Sequence, residues 1–277
     1  MRFIIPIELR KALKENQIKL SRDDHFKSRI KGLIYKNKSI SKKDLDKLMD
    51  MNIFNKNYRF EVYNFNFLDN LGIAKTKVIF NEDYKKLAEF IGIMLGDGNI
   101  CRNNLRITIH KMEIQYKHHI KKLFSELFKL ELSEYPYKNS KSLQLYRWSE
   151  DLISLLKKFG LKEGNKIKNK INIPDWILKN RKFTLSCLRG LIDTDGYLHY
   201  HKRDKQISVG FTNHSESLIY DFMNAALNLG FSFKRSGKDI RLYRKQEVEE
   251  FLNLINLAND RHLSKYDKFL KIKGAVV

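Results

Sequence analysis

Two aspartates in this chain stand in the same setting. Residues 90–98 read FIGIMLGDG and residues 188–196 read LRGLIDTDG, so Asp97 and Asp195 each close an apolar run and each precede a glycine. An apolar run stopping at Asp-Gly reads as a helix that ends at the acid, with glycine taking the positive φ common just past a helix end. That end of a helix carries partial negative charge, so a carboxylate there is electrostatically misplaced. A divalent cation with a preference for oxygen ligands would resolve the conflict. Two such carboxylates facing each other could hold metal ions against a phosphate.

Small residues suggest that the two acids meet. Gly92 and Gly96 are four apart, as are Gly190 and Thr194. Small residues at that spacing share a helix face and let two backbones approach closely. Packed in parallel, the two helices would bring Asp97 and Asp195 together at one end.

The elements around the motifs also repeat. The Asp-Gly pair recurs at an offset of 98 residues, and a Leu-Tyr-Arg triplet at 145–147 recurs at 242–244, an offset of 97. After the first motif, the pattern predicts a hairpin of 99–102 and 105–110 turning at Asn103-Asn104, then a helix over 113–128. A strand pair ending at Trp148 and a helix over 150–159, closed by Gly160, complete the unit. After the second motif come strands at 197–200 and 206–212, a helix over 215–229 ending at Gly230, strands near 232–233 and 240–243, and a helix over 245–257. Each unit reads α-β-β-α-β-β-α. The join is 162–182, with a break at Pro174.

Charge narrows the partner. The 277 residues carry 54 Lys and Arg against 32 Asp and Glu, a net charge of +22. Residues 1–84, 85–180 and 181–277 carry net +7, +9 and +6, so no single tail holds the excess. Nucleic acid is the leading partner for such a chain. With 42% hydrophobic and 12% aromatic residues, most of the chain should fold. No apolar run reaches the roughly 18 residues of a membrane span. The apolar patch in MRFIIPIELRK is too short for a secretory signal. Cys101 and Cys187 form no C-x-x-C pair, which argues against a disulfide framework and a structural zinc site. These exclusions point to an intracellular, cytoplasmic protein with no membrane partner. An intein is not expected, because the chain starts at Met1 and ends GAVV rather than His-Asn.

The motif pair, its spacing and the strand pattern behind it resemble the LAGLIDADG homing endonuclease family, of the monomeric two-motif type found in archaeal or organellar introns. The resemblance covers roughly residues 85–270. It implies an α+β fold: two pseudo-symmetric αββαββα repeats, 85–180 and 181–277, each with a four-stranded antiparallel sheet forming a saddle over the DNA major groove. It also implies a site-specific endonuclease that makes a metal-dependent staggered double-strand break in a long target, leaving 3′ overhangs. Asp97 and Asp195 would be the catalytic Mg²⁺ (or Mn²⁺) ligands. Leu95 stands in the first motif where Asp193 stands in the second, so Asp193 is not expected to be a ligand. Polar groups at the strand ends before the next helix would organise the site: His110 and Lys111 in the first unit, Asn213 and His214 in the second. His118-His119 reads as solvated helix surface.

On that reading the strands read double-stranded DNA, with Arg and Lys suited to guanine edges and Asn or Gln to adenine. Candidates are Arg102, Asn104, Arg106, Lys138, Lys141, Gln144, Tyr197, His199, His201, Lys202, Arg203, Gln206, Lys234, Arg235 and Arg241. Arg147 and Arg244 could be sheet-face contacts or structural. The alternative is a catalytically silent relative: an intron maturase that binds RNA, or a DNA-binding regulator. Residues 1–84 lie outside the resemblance. They read as a mainly helical extension, with helices at 7–16, 24–35 and 42–51, the last capped by Ser41, and a strand at 59–67. The segment is either an accessory DNA-binding module or packing against the first repeat.

Overall fold

The structure, a computed structural model, describes residues 2–3, 30, 40–50, 78–204 and 206–274. The chain divides into two compact units, residues 1–77 and 78–277. In the first, β1 (Arg2–Phe3) pairs antiparallel with β2 (Ile40–Ser41), and helix α1 (Lys42–Asp50) follows. Ser41 caps that helix as expected: its Oγ accepts from the Asp44 N–H at 3.1 Å. Ile30 is helical and buried. The rest of the expected 7–16 and 24–35 helices and the 59–67 strand lie outside the described residues.

The second unit begins at Val78, which packs with Phe80 against the core. It contains α2 (Tyr84–Gly96), β3 (Gly98–Cys101), β4 (Asn104–His110), α3 (Ile114–Phe128), β5 (Ser133–Pro136), β6 (Ser142–Trp148) and α4 (Glu150–Lys158). A short helix, α5 (Asp175–Leu178), bridges to α6 (Arg181–Asp195), β7 (Gly196–His201), β8 (Gln206–Thr212), α7 (Glu216–Asn228), β9 (Lys234–Ser236), β10 (Asp239–Leu242) and α8 (Lys245–Ile255). A last helix, α9 (Asp260–Gly274), was not expected from the sequence. The two halves share the order αββαββα. Their four-stranded antiparallel sheets share the strand order too: β3-β4-β6-β5 and β7-β8-β10-β9.

Local chemistry sets the boundaries. Ser149 caps α4 by accepting from Leu152 N–H at 3.2 Å, and Glu150 and Asp151 at the start and Lys157 and Lys158 at the end complement the helix dipole. Gly160 follows with φ +103°, and a Cβ there would lie 2.7 Å from Pro174 Cγ. Each sheet alternates. Leu105, Ile107 and Ile109 on β4 and Ile207, Val209 and Phe211 on β8 face the core; on the other face of β8, Ser208 and Gly210 are covered by His201 and Tyr197. The strand expected near 232–233 forms two residues later. Phe231 and Phe233 are instead drawn inward, with ring centroids 5.1 and 5.3 Å from Phe251.

Strand register corrects one reading. Gly98 pairs with Ile107 and Gly196 with Phe211, so Ile107 and Phe211 are equivalent. Ile107 faces Leu145, whereas Phe211 faces Ile240 and not Leu242. The two Leu-Tyr-Arg triplets are therefore two residues out of step and occupy different positions. The duplication rests on the Asp-Gly motifs and the shared topology.

Candidate functional site: two aspartates at a helix crossing

The site is built on the contact between α2 and α6. A Cβ on Gly92 would overlap the Cys187 carbonyl, one on Gly96 the Thr194 side chain, and one on Gly190 the Glu89 carbonyl. Residue numbers rise together along both helices, so they run parallel and end side by side. The glycines after the acids have a different role from the one expected. Gly196 adopts φ −83°, ψ 166°, and neither it nor Gly98 has a positive φ. Each is required because the chain folds back on its own helix: a Cβ would lie 2.5 Å from Met94 Cα at Gly98, and 2.7 Å from Ile192 Cα at Gly196.

Both carboxyls are raised above the ordinary aspartate value. Burial, reinforced by the charge of Asp195, pushes Asp97 up to about 7, against the pull of Lys166 and Arg261. Burial also raises Asp195, opposed by a hydrogen bond from Asn213 and by Lys166 and Arg261. Asn213 Nδ2 donates to Asp195 Oδ2 at 2.7 Å. Two cations close the helix ends with matching logic. Lys166 Nζ donates to the Leu95 carbonyl at 2.9 Å and to the Gly96 carbonyl, at the end of α2. Arg261 Nη2 donates to the Thr194 carbonyl at 3.2 Å, at the end of α6. Burial drives Lys166 down to about 8, with the two aspartates resisting.

Sequence reasoning missed Lys166 and Arg261. Lys166 lies in the run LKEGNKIKNK, where its type singles out nothing. The usable signal was positional: each base follows an Asn just beyond the last helix of its unit, as Asn165-Lys166 and Asn259-Asp260-Arg261. Both asparagines turn the chain by accepting backbone N–H groups, from Ile167 and Lys168 and from Arg261.

The structure brings together Asp97, Asp195 and Asn213, but turns His110 and Lys111 to other partners. His110 Nδ1 accepts from Met112 N–H at 3.2 Å, and Lys111 Nζ donates to the Tyr137 carbonyl at 3.0 Å. Register supplies the reason. The step that carries Asn213 in the second unit carries buried Ile109 in the first, where β4 runs two residues longer. His214 Nδ1 pairs with Lys238 Nζ at 3.0 Å. Asp193 is buried and accepts from the N–H groups of Ala258 and Asn259 at 3.0–3.1 Å, which ties α6 to the segment before α9. Burial pushes it up to about 6 against those two donors. His119 is not simply solvated: its Nε2 lies 2.5 Å from buried Glu89, which also faces Arg189 at 3.4 Å.

The open sheet faces carry many of the strand candidates. Arg106, Gln144, Tyr197, His199, His201, Gln206, Lys234 and Arg241 occupy outer-face steps, since each alternates along its strand with an inward-facing residue. Lys138, Lys141, Lys202 and Arg203 are exposed at hairpin turns. Arg102, at φ +53°, is held by its N–H to Glu163 at 2.6 Å. Two candidates fail as exposed readers. Asn104 is only 3% exposed. Arg235 pairs across from core residue Ile240, so it points to the helix side, where its guanidinium binds Glu216. Arg147 likewise sits at an inward step and donates to the Glu131 carbonyl, and Arg244 pairs with Glu247 on α8.

Two parallel helices that each deliver an acid to one point, with a four-stranded antiparallel sheet starting at the next residue, define a two-unit α+β protein. Residues 182–259 match the family described as LAGLIDADG-like domain. The strand order of that matched part, β7-β8-β10-β9, is repeated in the preceding half as β3-β4-β6-β5.

Among curated proteins, the chain is similar to the replication factor C small subunit of Methanocaldococcus jannaschii, at 25% identity over 70% of this chain and 11% of that protein. It is also similar to the ribonucleoside-diphosphate reductase NrdEB subunit alpha of Bacillus subtilis, at 27% identity over 52% of this chain and 14% of that one. The chain thus spans only a small part of the length of these relatives. Among solved structures it is similar to the homing endonuclease I-WcaI bound to its DNA recognition sequence (22% identity, 63% of this chain, 81% of that chain, TM-score 0.47). Two further similar structures are I-DmoI in complex with DNA and Mn (16%, 62% and 96%, 0.45) and the N-terminal LAGLIDADG domain of DUF199/WhiA (14%, 66% and 88%, 0.44). No helix among the described residues is long and apolar enough to cross a membrane.

Proposed function

We propose that this chain is a site-specific homing endonuclease that acts as a monomer on double-stranded DNA and makes a metal-dependent staggered double-strand break. The observation that carries the proposal is the pair of desolvated carboxylates, Asp97 and Asp195, held at one point by two parallel helices and flanked by Lys166 and Arg261. Two acids raised by burial and, at Asp97, by the neighbouring carboxylate are costly in a fold that gives them no further task. Their donor set suits Mg²⁺ or Mn²⁺, which take carboxylate oxygens and keep positions for phosphate and water. Asp97 and Asp195 would hold the ion, which when bound would stabilise charge developing on the scissile phosphate and activate the attacking water.

The chain's own groups have separable tasks. Asn213 fixes one oxygen of Asp195. Lys166 places a cation close to the two acids, and with its pKa brought down to about 8 it can hold or release a proton near neutral pH. The two sheets, net charge and hairpin lysines would bind the duplex, phosphate contacts setting affinity and outer-face side chains setting sequence.

The test is cleavage of a pooled library of genomic fragments and randomised duplexes, in Mg²⁺ and in EDTA. The Asp97→Asn plus Asp195→Asn double mutant runs in parallel. Metal-dependent cuts at one long enriched sequence, absent in the mutant, are expected. Tight salt-sensitive retention of uncut duplex, or of RNA, without cutting would replace this reading with the regulator or maturase alternative.

A further inference from the structure

Among the described strand residues, only Glu134 and Asp239 are acidic. Glu134 faces α3, where it binds Lys117 and Lys121. Asp239 is therefore the one carboxylate among the described strand residues on an open sheet face, the face that would approach DNA phosphates under the endonuclease reading. A charge of the wrong sign needs a compensating task there. Its surroundings suggest one.

Tyr197 Oη donates to Asp239 at 2.7 Å, Thr212 Oγ1 donates at 2.8 Å, and Arg241 Nε donates at 2.5 Å. Burial alone would raise the Asp239 carboxyl, but these donors outweigh it and hold it below the usual value. The carboxylate is thus saturated by protein donors and is poorly placed to read a base itself. Arg241 in turn lies over the Tyr197 ring, 5.5 Å from its centroid. That ring lies flat across β8 because Gly210 beneath it has no side chain; a Cβ there would overlap the ring. Arg241 binds Asp239 through Nε, which leaves the fork of its two terminal nitrogens for a ligand on the open face.

We infer that Arg241, braced by Asp239 and Tyr197, is a specificity-determining residue that reads one guanine in the major groove of the target. The inference rests on the DNA-binding part of the proposed function. A guanidinium fork matches guanine O6 and N7 with two parallel hydrogen bonds. Holding the fork in place beforehand removes side-chain entropy that a free arginine would lose on binding. The equivalent steps in the first sheet are Gln144 and Tyr146, so the brace serves one half of the target only.

The test is selection of randomised duplexes by retention on the full chain in EDTA, where nothing is cut. Wild type is compared with Arg241→Ala, Arg241→Lys, Arg241→Gln and Asp239→Asn, each checked by its thermal melt. Wild type should select G·C at one position by about 10- to 100-fold over other pairs. Arg241→Ala and Arg241→Lys should flatten that position and leave the others intact. Arg241→Gln should move it toward adenine, and Asp239→Asn should flatten it partly. An unchanged profile for Arg241→Ala would overturn the inference. So would a uniform loss of affinity with the salt slope reduced by about one, the mark of a phosphate contact. Wild type that retains no duplex would overturn the DNA reading itself, and this inference with it.

Discussion

Replacing Asp97 by asparagine should stabilise the metal-free protein. In the folded chain burial and the Asp195 charge lift the Asp97 carboxyl from 3.8 to about 7. The folded state then binds this proton more tightly than the unfolded chain does. Stability from this group is therefore present in acid and lost as pH rises from about 3.8 to about 7. At pH 8 the full shift applies, roughly three pH units at about 1.4 kcal/mol each, so ionised Asp97 costs up to about 4 kcal/mol. At about pH 5.5 the cost is about half of that. The asparagine side chain would be neutral at every pH. The substitution also keeps the backbone bonds from the residue-97 N–H to the Ile93 carbonyl and from Thr108 N–H to the residue-97 carbonyl. Melting of both proteins in EDTA should show the variant higher at pH 8 by several degrees, on the order of 10 °C at most, with the gap narrowing at about pH 5.5. Adding Mg²⁺ should raise wild type and leave the variant nearly unmoved. A variant no more stable than wild type at pH 8, or a gap independent of pH, would refute the electrostatic account of the site.

Lys166→Met should lower cleavage by about 10²- to 10³-fold while duplex retention in EDTA stays within a few-fold; equal loss of both would reduce Lys166 to a folding role. Asp193→Asn weakens the acceptor for the Ala258 and Asn259 N–H groups. The Asp193 carboxyl is raised to about 6 by burial, so near neutral pH the weaker hydrogen bonds are offset by removal of an ionised buried group; the variant should stay folded and still cut DNA, whereas complete loss of cutting in a folded variant would make Asp193 a member of the site. Gly92→Ala would press a methyl group into the Cys187 carbonyl and should cost about 1–3 kcal/mol or more. An unchanged denaturation midpoint would contradict the close helix crossing.

The sequence by itself determined the local and repeating features. Alternation in β4 and β8, the Ser149 and Ser41 caps and the left-handed Gly160 and Gly230 stops all depend on neighbours within a few residues. So does the small-residue stripe on each motif helix, whose consequence, a parallel crossing that unites Asp97 with Asp195, follows from its geometry. What depends on distant partners was not legible. Lys166 is one lysine among several until the helix end it caps, some 70 residues earlier, is in place. Arg261 and Thr194 are joined in the same way. The Leu-Tyr-Arg repeat looked like a second marker of duplication because sequence offsets take no account of a longer β7–β8 hairpin and a shorter stretch from β8 to β10, which nearly cancel; only the strand pairing shows the two-residue slip. Register also decides that the first unit offers Ile109 where the second offers Asn213, and that His110 and Lys111 face other groups. Likewise Arg235 and Arg241 are two basic residues on neighbouring strands. The pleat sends one to Glu216 on a helix and the other to Asp239 on the open face, because direction in a sheet is set by register, and register is a tertiary property.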